Sequence, residues 1–161
     1  MTGLRSTESS TTIKDINYTA DFNQVLVIPQ NFTHMILPSA DIFTQLCYPN
    51  NSLSYEYGSP EKMHEILTFL ELIDAPRIVE LKNVDSNNLD YQTIVINDWL
   101  DKFSTGELQR FIIARILFQE PKYVILDETL SNLDLEWRRK ILKRFQNTKM
   151  KYLTVSHESG L

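Results

Sequence analysis

The chain has 161 residues, of which 42% are hydrophobic and 23% are charged, and its formal net charge is −5. This length fits one domain with a core of its own, and the composition is that of an ordinary globular protein. The acidic balance argues against nucleic acid or anionic lipid as a partner, since proteins that bind either one normally carry a basic excess. The single cysteine, Cys47, excludes an internal disulfide and fits a reducing compartment.

The first half of the chain predicts one strand and two helices. Residues 1–23 are polar and rich in Ser and Thr, which predicts a loop. The apolar run "QVLVI" (24–28) predicts a buried strand, and a short helix is expected to begin at Ser39. The segment 59–73 predicts an amphipathic helix, because its apolar residues fall on one face: Met63, Ile66, Leu67, Leu70 and Ile73. Residues 76–98 fit either a strand or a helix followed by a loop.

The second half alternates helix and strand. A nearly all-apolar helix is predicted from Ser104 to about Gln119, and the strand "YVILD" (123–127) follows it. A helix is predicted from about Asp134, and "KYLTVSH" (151–157) predicts a last strand. The inward residues expected on the Asp134 helix are Leu135, Ile141, Leu142 and Phe145. Apolar strands that alternate with helices indicate α/β layering around a mainly parallel sheet. The polar residues that interrupt 111–126, and the lack of an apolar segment near Met1, predict neither a transmembrane helix nor a signal peptide.

Two carboxylates, Asp127 and Glu128, stand side by side at the end of the strand 123–127. Adjacent acids in this position are suited to holding Mg²⁺ and to polarising a water molecule for phosphoryl transfer. Acids at a strand end also cap the next helix without any catalytic role. The pair alone leaves both interpretations open.

The sequence "FSTGELQR" (103–110) has the form of a capping box, with Ser104 followed three residues later by Glu107. One interpretation is therefore only a well-made helix start. The same geometry places free N–H groups, a hydroxyl and the bare backbone of Gly106 at a helix N-terminus, which suits a terminal phosphate.

The run from "FSTGE" through "YVILDE" and "SNLD" to "TVSH" resembles the second half of an ABC-type ATPase domain. "FSTGE" resembles the signature LSGGQ or LSGGE, "YVILDE" the Walker B strand, and "SNLD" the D-loop. His157 matches the switch histidine, and "VIPQ" places Gln30 where the family has its Q-loop glutamine. The resemblance implies an α/β, P-loop NTPase-like fold with a mainly parallel sheet and an α-helical subdomain.

The resemblance also implies a division of the chain. It comprises a polar start at 1–23, a Q-loop region at 24–49, a helical subdomain at 50–103, and the signature, Walker B, D-loop and switch region at 104–161.

In this family two ATPase domains enclose two ATP molecules, so the resemblance implies ATP and Mg²⁺ as cofactors. It assigns catalysis to Glu128 as the general base and to His157 as the sensor of the γ-phosphate. Asp127 and Gln30 would serve the metal ion. The residues implied at the nucleotide, several of them in the partner's site, are Gln30, Ser104, Gly106, Glu107 and Asp134. The implied partners are a second ABC ATPase domain and a transmembrane domain at the cytosolic face of a membrane, with no nucleic acid.

Three segments narrow the resemblance to a subfamily. "NDWLDKFSTGE", "ADIFTQLCYP" and "TVSHESGL" resemble the subfamily D peroxisomal fatty-acyl half-transporters and the SbmA/BacA-like exporters. Trp99, just ahead of the signature, is a feature of that group, and a lone core aromatic is the alternative. A fatty-acyl or other lipid-like substrate is the corresponding expectation.

The sequence departs from the family pattern in one large respect. A phosphate loop needs G-x-x-x-x-G-K-[ST], and none of the four glycines (Gly3, Gly58, Gly106, Gly160) precedes a lysine. In addition, Thr105 replaces a signature glycine, and Glu158 stands where the family has arginine. The resemblance thus covers the latter part of the family domain, and negligible hydrolysis and poor solubility are expected of the chain alone.

Three alternatives remain beside a transporter ATPase. The first is a catalytically incompetent module that acts only through dimerisation. The second is a soluble ABC ATPase of the DNA-repair or translation type, although its usual coiled-coil insertions or paired domains are not recognisable. The third is a truncated gene model or a degenerate gene copy.

Overall fold

A computed structural model of the protein describes residues 25–49, 60–73, 78, 95–131 and 133–155. The predicted loop at 1–23, the first residue of the predicted helix 59–73 (Ser59) and the switch residue His157 lie outside the described residues. So does most of 76–98.

The described elements begin with a strand and end with a strand. In chain order they are β1 (Val25–Ile28), a 3-10 helix (Phe32–Met35), β2 (Ser39–Asp41), α1 (Ile42–Cys47), α2 (Pro60–Phe69), β3 (Val95–Asn97), α3 (Trp99–Lys102), α4 (Thr105–Gln119), β4 (Tyr123–Asp127), α5 (Leu135–Gln146) and β5 (Lys151–Val155). The predicted short helix therefore begins at Ile42 rather than Ser39, because Asp41 caps it through the N–H of Thr44.

Three of these strands form a parallel sheet in the order β1-β4-β5. Ile28 is opposite Leu126, and Leu126 is opposite Thr154. The side chains that point to the core alternate with outward ones along β1 and β4, as expected for strands covered by helices on one face. The predicted α/β fold with a parallel sheet is confirmed. The antiparallel pair β2-β3, which places Ala40 opposite Ile96, was not predicted.

Helix α4 lies in the centre of the core. Its residues from Phe111 to Phe118 are all buried, so the helix is covered on every side. At its N-terminal end the rings of Trp99, Phe103 and Phe111 pack within 5.2 Å of one another, centroid to centroid. Trp99 also donates a hydrogen bond of 3.0 Å from Nε1 to the carbonyl of Ala40. Trp99 is thus a core aromatic that fixes β2 to the entry of α4.

Helices α2 and α5 each bury one face. The five apolar residues predicted to face inward from segment 59–73 are all buried. On α5, Ile141 and Phe145 are buried, but Leu135 is 50% exposed, so its predicted inward position is wrong. At about 100° per residue, Leu135 lies roughly a quarter turn or more from the face that carries Ile141 and Phe145.

Arg115 of α4 is fully buried and connects the segment after β1 to the core. Its Nε donates to the carbonyl of Gln45 at 3.0 Å, and its Nη2 donates to the carbonyl of Met35 at 2.8 Å. Burial lowers the pKa of Arg115 to about 10, so the guanidinium remains charged at neutral pH. One buried cation thus holds α1 and the 3-10 helix against α4.

Candidate functional site

The carboxyl ends of β1 and β4 carry the first group of candidate residues. Because Ile28 and Leu126 are in register, Gln30 and Glu128 each follow two residues later at the same edge of the sheet. The Nε2 of Gln30 donates a hydrogen bond to Oε2 of Glu128. The structure therefore brings together two side chains whose association the sequence analysis suggested only through resemblance.

The backbone of Glu128 is held on both sides. Its φ is 49°, in the left-handed region that side chains other than glycine seldom adopt. Its N–H donates to the carbonyl of Val155 at 2.9 Å, while its own carbonyl accepts from the N–H and the Oγ of Ser131 at 3.0 and 2.6 Å. A strained residue held by β5 and by the following turn is typical of a position where the side-chain direction matters.

Thr129 fastens the same edge from inside. It is buried, and its Oγ1 donates to the carbonyl of Ile28 at 3.1 Å. That bond connects the end of β1 with the residue after Glu128. Sequence reasoning missed Thr129, and no local signal identifies it, because its partner is distant in the chain.

Asp127 is the last residue of β4, exposed, and in register with Val155. Within the described ranges, no three His, Cys, Asp or Glu side chains come together to hold a metal ion. Mg²⁺ bound with a nucleotide needs only one or two carboxylates besides phosphate oxygens and water. Asp127 supplies such a carboxylate, and the amide oxygen of Gln30, which is not the atom engaged by Glu128, is a further neutral oxygen ligand.

The second group lies at the start of α4, where the predicted capping box is present. The N–H and Oγ of Ser104 donate to Oε2 of Glu107 at 2.8 and 2.7 Å, and the N–H of Glu107 donates to Oγ of Ser104 at 3.3 Å. A Cβ added to Gly106 would meet no atom within 4 Å. The helix start is therefore complete in itself and has open space beside Gly106.

Asp134 occupies the start of α5. Its Oδ1 accepts from the N–H of Trp137 at 2.8 Å, which caps the helix. Arg138 braces the turn ahead of it, since its Nε donates to the carbonyl of Leu133 and its Nη2 to that of Ser131, at 2.8 and 2.5 Å. This role of Arg138 has no sequence signal, because a basic residue on a polar helix face gives no sign that it binds backbone carbonyls.

The chain was also compared with known proteins. A family model described as "ABC transporter" matches residues 4–131. The human "Lysosomal cobalamin transporter ABCD4" is 32% identical over 133 residues, which are 79% of this chain and 21% of that protein. The Drosophila melanogaster "ATP-binding cassette sub-family D member 1" is 28% identical over 98 residues, covering 61% of this chain and 12% of that protein.

A solved structure of a bacterial Atm1-family ABC exporter with ATP bound has the same fold, with a TM-score of 0.56 and 18% identity. The match covers 84% of this chain and 21% of that one. The chain thus spans about a fifth of the length of its human relative. Within the part of the chain that the structure describes, no helix is both long and apolar enough to cross a bilayer.

Proposed function

The chain belongs to the ABC transporter family, and we propose that it forms part of an ATP-binding and ATP-hydrolysing domain that drives transport across a membrane. The observation that carries the proposal is the contact between Gln30 and Glu128, which gathers a carboxylate, an amide and Asp127 at one edge of the sheet. Such a cluster suits the activation of water beside a phosphate.

In this proposal Glu128 is the general base. Its carboxylate accepts the proton of the attacking water, and its fixed backbone determines where the water is held. His157 is proposed as the second catalytic residue, in contact with the γ-phosphate. Asp127 and Gln30 would hold Mg²⁺, which when bound neutralises charge on the phosphate oxygens.

The start of α4 is proposed to face the ATP of a second ABC ATPase domain. Ser104, Gly106 and Glu107 would meet its γ-phosphate at a helix N-terminus, where N–H groups and the helix dipole favour an anion. Asp134 would reach across the same interface. None of the four glycines precedes a lysine, so the proposed site uses a phosphate loop that these 161 residues do not contain.

The test is Glu128→Gln in the complete protein that carries this sequence. Removing a general base is expected to lower turnover by about 10²- to 10⁴-fold while ATP binding persists, because the amide keeps the shape of the side chain. Glu136→Gln, an exposed acid in the first turn of α5, is the matched control. An unchanged turnover in Glu128→Gln would refute the proposal.

A second candidate is a non-catalytic module that presents its signature to an intact partner domain. Thr105 favours it, since a β-branched side chain stands where close approach of the backbone to phosphate is needed, although the helix start itself is intact. Tight stoichiometric ATP binding by the chain alone would exclude the module. Activation of an intact ATPase domain by a chain that binds no ATP would support it.

The most specific parts of the proposal are the transported substrate and the membrane. We propose a fatty-acyl or other lipid-like substrate, and the cytosolic face of a peroxisomal or other membrane, with a transmembrane domain as partner. This rests on likeness to subfamily D, in which the human relative is named a cobalamin transporter. Stimulation of ATP turnover by fatty acyl-CoA, but not by cobalamin, in the membrane-reconstituted complete protein would support the lipid-like substrate. The opposite result would overturn it.

A further inference from the structure

Trp137, in the first turn of α5, is approached by two cations from different parts of the molecule. The guanidinium carbon of Arg110 lies 5.2 Å from the centre of its ring, and Nζ of Lys140 lies 4.1 Å from it. A tryptophan ring attracts cations at this range, and the attraction increases where water is partly excluded. Trp137 is half-buried and packs against the hydrophobic core.

The two cations belong to two helices, and each of these helices begins at candidate site residues. Arg110 is on α4, six residues after Ser104 and three after Glu107, the two residues of the capping box. Its Nε is buried and has no hydrogen-bond partner among the described residues, while its guanidinium lies over the ring of Trp137. Lys140 is on α5, one turn after Trp137.

Lys140 extends the chain of contacts to α2. Its Nζ lies 3.2 Å from Oε1 of Glu71, just beyond α2, and 5.1 Å from the ring of Phe69. The backbone of α5 makes few close approaches to α2 or α4. Besides the buried face of α5, long side chains around the ring of Trp137 therefore connect this helix with α4 and with the end of α2.

The backbone of the same residue caps α5. The N–H of Trp137 donates to Oδ1 of Asp134, so a displacement of Trp137 moves the carboxylate of Asp134 with it. One residue is thus bound to the start of α5 through its N–H and to α4 through its ring.

We propose that Trp137 is a positioning residue that fixes Asp134 at the start of α5 relative to Ser104 and Glu107 at the start of α4. This inference rests on the proposed function, in which these two helix starts face one nucleotide. Neither the family match nor the named relatives assign a role to this tryptophan. Its contribution is geometric, since the ring does not contact the reacting atoms.

The first measurement is the distance between the two helix starts in the complete protein without nucleotide. Spin labels are placed on Thr105→Cys and Leu135→Cys, both exposed, while the single natural cysteine, Cys47, is buried. Trp137→Leu keeps an apolar side chain but removes the ring, and it is expected to broaden the distribution of label distances. Trp137→Phe, which keeps a ring, is expected to restore the narrow distribution.

The matched control is a ring with two lysines elsewhere in the fold. Tyr123 is the first residue of β4, at the end of the strand away from Asp127. The centre of its ring lies 5.4 Å from Nζ of Lys122 and 6.0 Å from Nζ of Lys151. Tyr123→Leu is expected to leave the distances unchanged. Should Trp137→Leu fail to fold, Arg110→Gln with Lys140→Gln removes the cations and leaves the ring, and the same broadening is expected. An unaltered distribution in either variant overturns the inference.

The second measurement separates KM from kcat for ATP. Because Trp137 acts on the alignment of the nucleotide-facing residues, Trp137→Leu is expected to raise the KM for ATP by about tenfold, the equivalent of two lost cation–ring contacts, with a smaller effect on kcat. Trp137→Phe is expected to bring the KM for ATP most of the way back to the parent value. If no variant, nor the parent protein, turns over ATP, the proposed function fails, and the distance measurement still decides the role of Trp137.

Discussion

Thr129 joins the ends of β1 and β4 from the buried side, through its bond to the carbonyl of Ile28. Thr129→Val keeps the shape of the side chain but leaves that buried carbonyl without its donor. The expected cost is about 1–2 kcal/mol in the free energy of unfolding, measured by urea denaturation. Thr129→Ser keeps the hydroxyl and is expected to stay closer to the parent. Equal stability of the valine and parent proteins would contradict this role.

Cys47 gives a prediction about pH. Burial raises the pKa of its thiol from 9.0 to about 11, with the charge of Asp41 as a smaller cause. The pKa of the thiol is higher in the folded state than in the unfolded state. Its contribution to the free energy of unfolding is therefore fully present below pH 9 and is lost as the pH rises to about 11.

The loss between pH 9 and 11 is expected to be on the order of 2–3 kcal/mol in the parent protein and absent in Cys47→Ala. Denaturation curves at several pH values measure it. Arg115 also titrates at alkaline pH, and it is present in both proteins. Subtracting the pH dependence of Cys47→Ala from that of the parent therefore leaves the contribution of Cys47. Rapid alkylation of native Cys47 at pH 8 would contradict the burial on which this depends.

Among single residues, the sequence identified those that belong to a recognisable pattern. Asp127, Glu128, Ser104 and Glu107 stand in local motifs, so their placement on a strand end or a helix start was predictable, while their roles stay predictions. Thr129 was not predictable, since its partner Ile28 lies 101 residues away and nothing in the neighbouring residues indicates it.

Helix α4 depends on the cap that Ser104 and Glu107 form. Ser104→Ala removes the side-chain oxygen that accepts from the N–H of Glu107 and the hydroxyl that donates to its carboxylate. A loss of about 1 kcal/mol in the free energy of unfolding is expected. Ser104→Thr keeps a capping oxygen and is the control. A parent-like melting curve for the alanine variant would show that burial of α4 alone determines its start.

Arg115 connects α4 to α1 and to the 3-10 helix. Arg115→Ala removes three hydrogen bonds to Met35 and Gln45 and leaves two backbone carbonyl groups without this donor, so a loss of about 2–6 kcal/mol in the free energy of unfolding is expected. Arg115→Lys keeps the charge but not the fork of donors, and an intermediate loss is expected. Amide hydrogen exchange of residues 32–48 measures whether the loss is local to this segment. Unchanged exchange there in Arg115→Ala would contradict the role.

The elements predicted best are those whose own residues determine them. The periodicity of α2, the cap of α4 and the apolar run of β4 are all local. Strands β2 and β3 have three residues each, and Ala40 pairs with Ile96 in a distant segment. No local pattern predicted β2, while a strand was one of the two alternatives left open for 76–98, which contains β3. The predicted helix start at Ser39 was wrong because residues 39–41 form β2 and Asp41 caps α1 at Ile42.

At the scale of the whole molecule, the main feature is an exposed apolar patch on one face of the parallel sheet. Val27, Ile125 and Leu153 are opposite one another on the three strands, and Val27 and Leu153 are 51% and 59% exposed. Contiguous exposed apolar surface promotes association. The poor solubility expected from the sequence stays a prediction, and this face gives it a physical location.

Replacing Val27 and Leu153 by threonine is expected to increase the soluble fraction of the chain expressed alone, with little change in its melting temperature. Leu100→Thr with Leu135→Thr is the matched control, since these side chains are similarly exposed, 47% and 50%, but lie on helices. Sedimentation after lysis measures the outcome. Equal gains from both pairs would show that general hydrophobicity, and not the sheet face, limits solubility.

The pairing of β1 with β4 has a consequence for synthesis on the ribosome. Gln30 and Glu128 are 98 residues apart, so at typical translation speeds β1 leaves the ribosome about 5–20 s before its partner strand exists. During that interval the apolar residues of β1 have no β4 to pair with. The sheet can therefore close only after synthesis has passed β4, and the order of synthesis separates the formation of β1 from its pairing.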